Sequence, residues 1–200
     1  MNLTKIAFDL ISSLGYGGLF VGLFIDSFGV PIPSEVLVPL ATALVGSGKF
    51  SLVGVFVVST IAQTLGGLAG YAIGRYAGEP FLIKYGKYVF ISHHDLARTH
   101  AAFQKYGKTL TLMGRCLPVI RGLIAYPAGV AEMNVWTFIS FTAIGSAIWT
   151  AVLMYLGHLL GGHLDLIEKY GQQLTYVILA LIVLAIGWHL RHVLGRRKRS

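Results

Sequence analysis

The chain has 200 residues, 55% hydrophobic and 12% charged, with a formal net charge of +8 and a mean hydropathy of +0.70. Soluble domains carry about 25% charged residues, so this chain lacks the charge to cover a water-facing surface, and a soluble globular fold is excluded. The length suits one domain, residues 1–200. A single cysteine, Cys116, excludes a disulfide framework and a cysteine-built metal site. The positive charge reads first as a membrane-topology signal and not as a nucleic-acid one.

In chain order, residues 10–25 form an uncharged run of 16, which residues 6–9 extend toward crossing length. No small-residue cleavage site follows it, so a retained helix is expected rather than a signal peptide. Residues 36–48, 13 apolar positions after Pro31-Ile32-Pro33-Ser34-Glu35, are too short to span. Residues 50–74 are 25 uncharged positions between Lys49 and Arg75, long enough to cross as a helix. Residues 79–106 then mix Phe81, Leu82, Tyr85, Tyr88, Val89 and Phe103 with lysines and arginines, a composition suited to cytoplasmic interfacial helices. His93, His94 and His100 lie there without a further ligand at fixed spacing, so no metal site and no cofactor are expected. Residues 122–131 form a second short run of 10, after Arg115-Cys116-Leu117-Pro118-Val119-Ile120-Arg121. Two more crossings follow, residues 133–157 with 25 uncharged positions and residues 170–188 with 19, before a basic tail over 189–200.

Both short runs carry prolines that oppose a continuous helix, Pro31, Pro33 and Pro39 in one and Pro118 and Pro127 in the other. Broken backbone at membrane depth survives only where protein buries it or water reaches it. The expectation is therefore two re-entrant hairpins, about 28–48 and 109–131, that dip toward each other around a polar cavity. Each leads into a long helix with a similar end, Tyr71-Ala72-Ile73-Gly74 and Tyr155-Leu156-Gly157, offset by 83 to 86 residues. Glycine-rich membrane helices resemble one another anyway. If the repeat is real, its copies enter from opposite sides, as in many secondary transporters. Lysine and arginine divide 12 against 2 between the two faces, with Arg115 and Arg121 left in the membrane. Four crossings with both termini cytoplasmic satisfy that count. The fold class read here is all-α integral membrane: four transmembrane helices, two opposed hairpins as an inverted repeat, and cytoplasmic interfacial helices.

The motif Phe28-Gly29-Val30-Pro31-Ile32-Pro33-Ser34-Glu35 and the motif Gly114-Arg115-Cys116-Leu117-Pro118-Val119-Ile120-Arg121, with Tyr126-Pro127-Ala128-Gly129 and Met133 after it, resemble the DedA family. Its eukaryotic relatives are the SNARE-associated Golgi, or VTT-domain, proteins. The resemblance covers about residues 10–160. It implies the opposed-hairpin fold and lipid transport: undecaprenyl phosphate returned across the bacterial cell membrane in some members, phosphatidylethanolamine in others, and scrambling in eukaryotes. It places the family's functional acid on Glu35 and its two functional arginines on Arg115 and Arg121. In one departure, the second membrane acid that some members carry about a dozen residues on is absent, residues 44–50 offering only Ser47 and Lys49.

The residues argue in the same direction. A charge at the bilayer centre costs at least about 2.5–3.5 kcal/mol, so ionisable groups there are functional suspects. Arginine grips phosphate with two prongs and keeps its charge. Arg115 and Arg121 would point apart on one continuous helix, and Pro118 midway is placed to bend the chain so that they converge. The competing reading is a structural pair that binds loop carbonyls or neutralises Glu35 and Asp26. Asp26 is read equally as a second protonatable group or as a helix-end charge. At Glu35, desolvation and a nearby arginine oppose each other, so an arriving anion that takes the arginines would leave the carboxylate to bind a proton. Gln63 and Thr64 are expected to bond between helices, Trp149 to pack, and Trp136 and Tyr170 to anchor at interfaces.

The expected function is a flippase for a phosphate-bearing lipid, most of all undecaprenyl phosphate, driven by protons in a bacterial inner membrane. The alternatives are a phosphatidylethanolamine flippase or scramblase, and a proton-coupled solute or cation antiporter, which has less use for two arginines. An enzyme is not expected, because no nucleophile or His-Asp pair accompanies the arginines. The partners are an anionic membrane lipid and protons; nucleic acid is not among them, and an oligomer is allowed.

Overall fold

The computed structural model describes residues 11, 13–30, 32, 34–85, 96–117 and 120–159. The predicted crossing at 170–188, the tail at 189–200, and Pro31, Pro33 and Pro118 lie outside the described residues. Every regular element among the described residues is helical. They are α1 (Tyr16–Ser27), α2 (Ser34–Ala43), a 3-10 turn (Leu44–Ser47), α3 (Leu52–Tyr85), α4 (Leu96–Arg115), α5 (Ala125–Val130) and α6 (Val135–Leu159).

Among the described residues two helices are long and apolar enough to cross a membrane, α3 over Leu52–Ala77 and α6 over Val135–Leu159. Both match uncharged runs of the sequence. Their outer faces carry the residues that lipid wants: Val53, Val57, Ile61 and Leu65 on α3, and Ile144, Ile148 and Val152 on α6, are all exposed. The four-residue steps keep each set on one face of a helix. By contrast α1 and α2, with 12 and 10 residues, rise only about 18 and 15 Å.

Two of the prolines expected to oppose a helix lie inside helices. Pro127 lies in the first turn of α5, where a missing N–H has no helical partner to lose, so it helps to start a helix. Pro39 lies inside α2, which it leaves one bond short, and α2 gives way to the 3-10 turn at Leu44. Between α1 and α2 the chain turns at Gly29, whose φ of 107° is a conformation that side chains resist. The segment expected as interfacial helices, 79–106, is divided differently. Residues 79–85 continue α3 without a stop, and 96–106 are the first half of α4, which runs unbroken into the predicted second hairpin. A charge ends membrane burial without ending backbone hydrogen bonding. On α4, Phe103, Gly107, Thr111, Gly114 and Arg115 form the buried stripe while residues 104–106 face outward, the spacing of an amphipathic helix.

The short helix of each half packs on the long helix of the other: α2 on α6, and α5 on α3. Glycine makes both contacts. A Cβ at Gly157 would lie 2.6 Å from Pro39 Cα, one at Gly74 would strike the Tyr126 carbonyl, and one at Gly129 would strike that of Tyr71. Gly74 and Gly157 are 83 residues apart, the offset of the sequence repeat. Apolar packing forms two cores. One joins Leu19, Leu23, Leu37, Val55, Ala62, Trp149 and Leu153, and the other joins Tyr71, Phe103, Ala125, Ala128 and Phe138.

Because Gly157 meets backbone that cannot yield, Gly157→Val is expected to cost about 1–3 kcal/mol. Gly17→Ala, with nothing within 4 Å of its Cβ, should be neutral or stabilising by up to about 1 kcal/mol. Thermal unfolding of the purified protein in detergent compares the two. Equal effects would show that α2 and α6 are not in this contact.

Candidate functional site

Between the two cores, near the middle of α3 and α6, four ionisable side chains from both halves of the chain meet, Arg115, Arg121 and Asp26 buried and Glu35 partly buried. Arg115 ends α4 and Arg121 lies in the following turn, with exposures of 2% and 3%. Asp26 is in the last turn of α1, and Glu35 is in the first turn of α2. The turn carrying Arg121 reaches α1 because position 122 is glycine: a Cβ there would lie 2.9 Å from the Asp26 carbonyl oxygen and 3.2 Å from Gly29 Cα. Tyr126 closes the same joint, its hydroxyl donating to the Phe28 carbonyl.

The two arginines are held differently. Arg121 Nη2 is 2.7 and 2.8 Å from the Asp26 carboxylate oxygens and 3.6 Å from Glu35 Oε1. Its guanidinium carbon lies 6.0 Å from the ring centre of Trp149, within cation–π range. Arg115 has no carboxylate partner among the described residues. Its Nη1 donates to Ser27 Oγ at 3.0 Å, while Nε and Nη2 have no hydrogen-bond partner among the described residues. Those two nitrogens form the side-on, two-pronged edge of a guanidinium, the edge that fits carboxylate or phosphate. Arg121 Nε and Nη1 are likewise without hydrogen bonds. Buried donors are nearly always satisfied, so this cluster has the donor capacity for an anion.

Formally the two cations and two anions cancel, so the cluster is neutral while concentrating charge in an apolar surround. A salt-bridged Arg121 and a carboxylate-free Arg115 give it one locked cation and one open one. The polar residues nearby serve packing. Gln63 Nε2 donates to Thr150 Oγ1 at 2.9 Å, between α3 and α6, whereas Thr64 bonds back to Thr60 within its own helix. Trp149 is buried, and Trp136 is 73% exposed. Among the described residues no group of three metal-ligating side chains assembles. His93, His94 and Tyr170 lie outside the described residues.

Sequence reasoning named all four ionisable residues but ranked Asp26 below Glu35, and the geometry gives Asp26 the closer contact. It missed Ser27, the aromatic face of Trp149 and the closing role of Tyr126. It also missed Gly67, although the pair Gly66-Gly67 inside an uncharged helix was a signal of close approach.

Among the described residues, wholly helical regular structure, two crossing-length helices and a charge cluster between the halves fit a membrane protein. A family profile described as the VTT domain matches residues 32–159, and the chain belongs to that family, which includes the DedA proteins. Undecaprenyl phosphate transporter A of Bacillus subtilis (strain 168) is 35% identical over 178 residues, covering 88% of each chain. The protein of the same name from Staphylococcus aureus is 30% identical over 199 residues, covering 98% of each. The membrane protein YkoX of Bacillus subtilis is 39% identical over 180 residues, 88% of this chain and 80% of that one. No solved structure matches the chain.

Removing one partner of a buried pair strands the other, at about 3–5 kcal/mol. Arg121→Ala is therefore expected to destabilise by that amount, and adding Asp26→Asn should recover a large part of the loss. Denaturation of the single and double variants measures the recovery, and its absence would break the assigned pair.

Proposed function

We propose that the protein is a transporter that moves a phosphate-bearing lipid, undecaprenyl phosphate, between the leaflets of a bacterial inner membrane, and that it is not an enzyme. The observation that carries this reading is Arg115, a buried cation whose two-pronged edge makes no hydrogen bond and which touches no carboxylate among the described residues. A purely structural arginine there would cost several kcal/mol in desolvation against a single bond to a serine hydroxyl. The names of two relatives at 35% and 30% identity supply the lipid. A headgroup would lie against Arg115 and Arg121 while its isoprenoid chain stays in the bilayer. The crosswise packing of α2 on α6 and α5 on α3 supports two opposed re-entrant hairpins, and the 12-to-2 division of lysine and arginine supports cytoplasmic termini.

Arg115→Met keeps the length of the side chain and removes its charge. Charge-assisted hydrogen bonds contribute about 1.5–3 kcal/mol, so transport in proteoliposomes should fall about 10- to 100-fold. The melting temperature should be unchanged or higher, because a costly buried charge has gone. Wild-type rates from Arg115→Met would overturn the reading, and inorganic phosphate released during the assay would replace the transporter by a phosphatase.

Coupling to protons follows from the shared cation. The Glu35 contact to Arg121, at 3.6 Å, is looser than that of Asp26, so an arriving headgroup displaces Glu35 first. The displaced carboxylate is the group assigned here to proton coupling. Asp26 stays as the anchor. Glu35→Gln should still transport but lose its response to an imposed proton gradient. If that response survives in Glu35→Gln and vanishes in Asp26→Asn, the two acids exchange roles; if it survives in both, neither is the coupling acid.

A further inference from the structure

We infer that Gly67 is a positioning residue for the anion site: its missing side chain is the slot in α3 that seats the guanidinium of Arg115. This rests on the phosphate reading of Arg115. An ideal Cβ at position 67 would strike Arg115 Nη2 and lie 2.8 Å from Cζ and 3.3 Å from Nη1, and these are its three nearest neighbours. No backbone and no other side chain comes so close. The adjacent Gly66 has a different task, since a Cβ there would meet the Phe24 carbonyl and Ser27 Cβ at 3.0 Å, which brings α1 against α3. On the other side, Gly145 of α6 lets the Arg115 stem pass, with a Cβ there 2.7 Å from Arg115 Cβ. Arg115 is thus threaded between two crossing-length helices at one glycine on each.

Glycine inside a helix is less favourable than alanine, because the unfolded chain is freer and nothing is packed in exchange. At position 67 the exchange is the head of Arg115. A methyl group there displaces Nη2, breaks the Nη1 bond to Ser27 and turns the open Nε–Nη2 edge away from its present direction. Alanine at 67 therefore acts through Arg115 or not at all.

Four full-length proteins test this in proteoliposomes: wild type, Gly67→Ala, Arg115→Met and the double variant, each assayed for undecaprenyl phosphate transport and for melting temperature. Gly67→Ala should transport as poorly as Arg115→Met, with the double variant no worse than either. In the wild-type background it should lower the melting temperature, and in the Arg115→Met background it should raise it, because alanine then only improves the helix. Failure of Gly67→Ala to fold, cured by Arg115→Met, supports the slot equally. Normal transport by Gly67→Ala beside an inactive Arg115→Met overturns the slot alone, as does an equal loss of melting temperature in both backgrounds. Normal transport by Arg115→Met overturns the phosphate reading and the slot's role with it.

Discussion

The ion pair of Arg121 with Asp26, extended to Glu35, is the constraint that organises the rest. Charges in an apolar interior are tolerated only when paired, so a cation in the turn after α4 must have carboxylates brought to it. The carboxylates come from the last turn of α1 and the first turn of α2. One guanidinium therefore fixes the break of the first half against the break of the second. Gly122 and Tyr126 serve the same joint, the glycine by letting backbone approach backbone and the tyrosine by its bond to the Phe28 carbonyl. Arg115 stands outside this economy, with a serine hydroxyl where its neighbour has two carboxylates. Two arginines six residues apart thus differ in kind.

Position explains why electrostatics dominate here. On α3, Val55 and Ala62 belong to one apolar core and Tyr71 to the other, and on α6, Leu153 and Phe138 divide in the same way. Gly67 and Gly145 fall between, and Arg115 passes at that level. Charge held between two dry cores is poorly screened, so a change of charge at one group is felt strongly by the others. The short helices α2 and α5 each rest on the long helix of the opposite half. Displacement of either one alters the distance between Glu35 or the Arg121 turn and the common centre.

Much of this was legible in the sequence because composition and spacing carry it. The uncharged runs 50–74 and 133–157 read as spans, and α3 and α6 cover all but the first two residues of each. Arg115, Arg121, Asp26 and Glu35 stood out because ionisable residues in apolar runs are rare. Their pairing was not legible: which carboxylate meets which arginine depends on how α1 and the 120–124 turn approach, and that is a tertiary fact set by Gly29 and Gly122. The continuity of α4 through residue 109 was missed for a different reason. Polarity changes along that segment but its helical spacing does not, and polarity drew the boundary. Pro127 misled because a proline's effect depends on its place in the helix, and the start of α5 could not be located from apolar residues alone.

The mixture of locked and open cations has a consequence for release. Two unpaired buried arginines would bind a phosphate tightly and, in a poorly screened interior, would hold it. A transporter needs affinity that rises on arrival and falls on departure. On the proposed phosphate reading Arg115 would supply the standing attraction, while Arg121 would join only by leaving at least one carboxylate. In the proposed mechanism the carboxylate returns to Arg121 as the anion departs, so departure is assisted by a competitor already tethered to the protein. The competitor's effective concentration is set by the short path from Asp26 to Glu35 through the Gly29 turn, and not by solution. In the proposed mechanism the buried salt bridge thus weakens substrate binding, and that weakening is what would allow turnover.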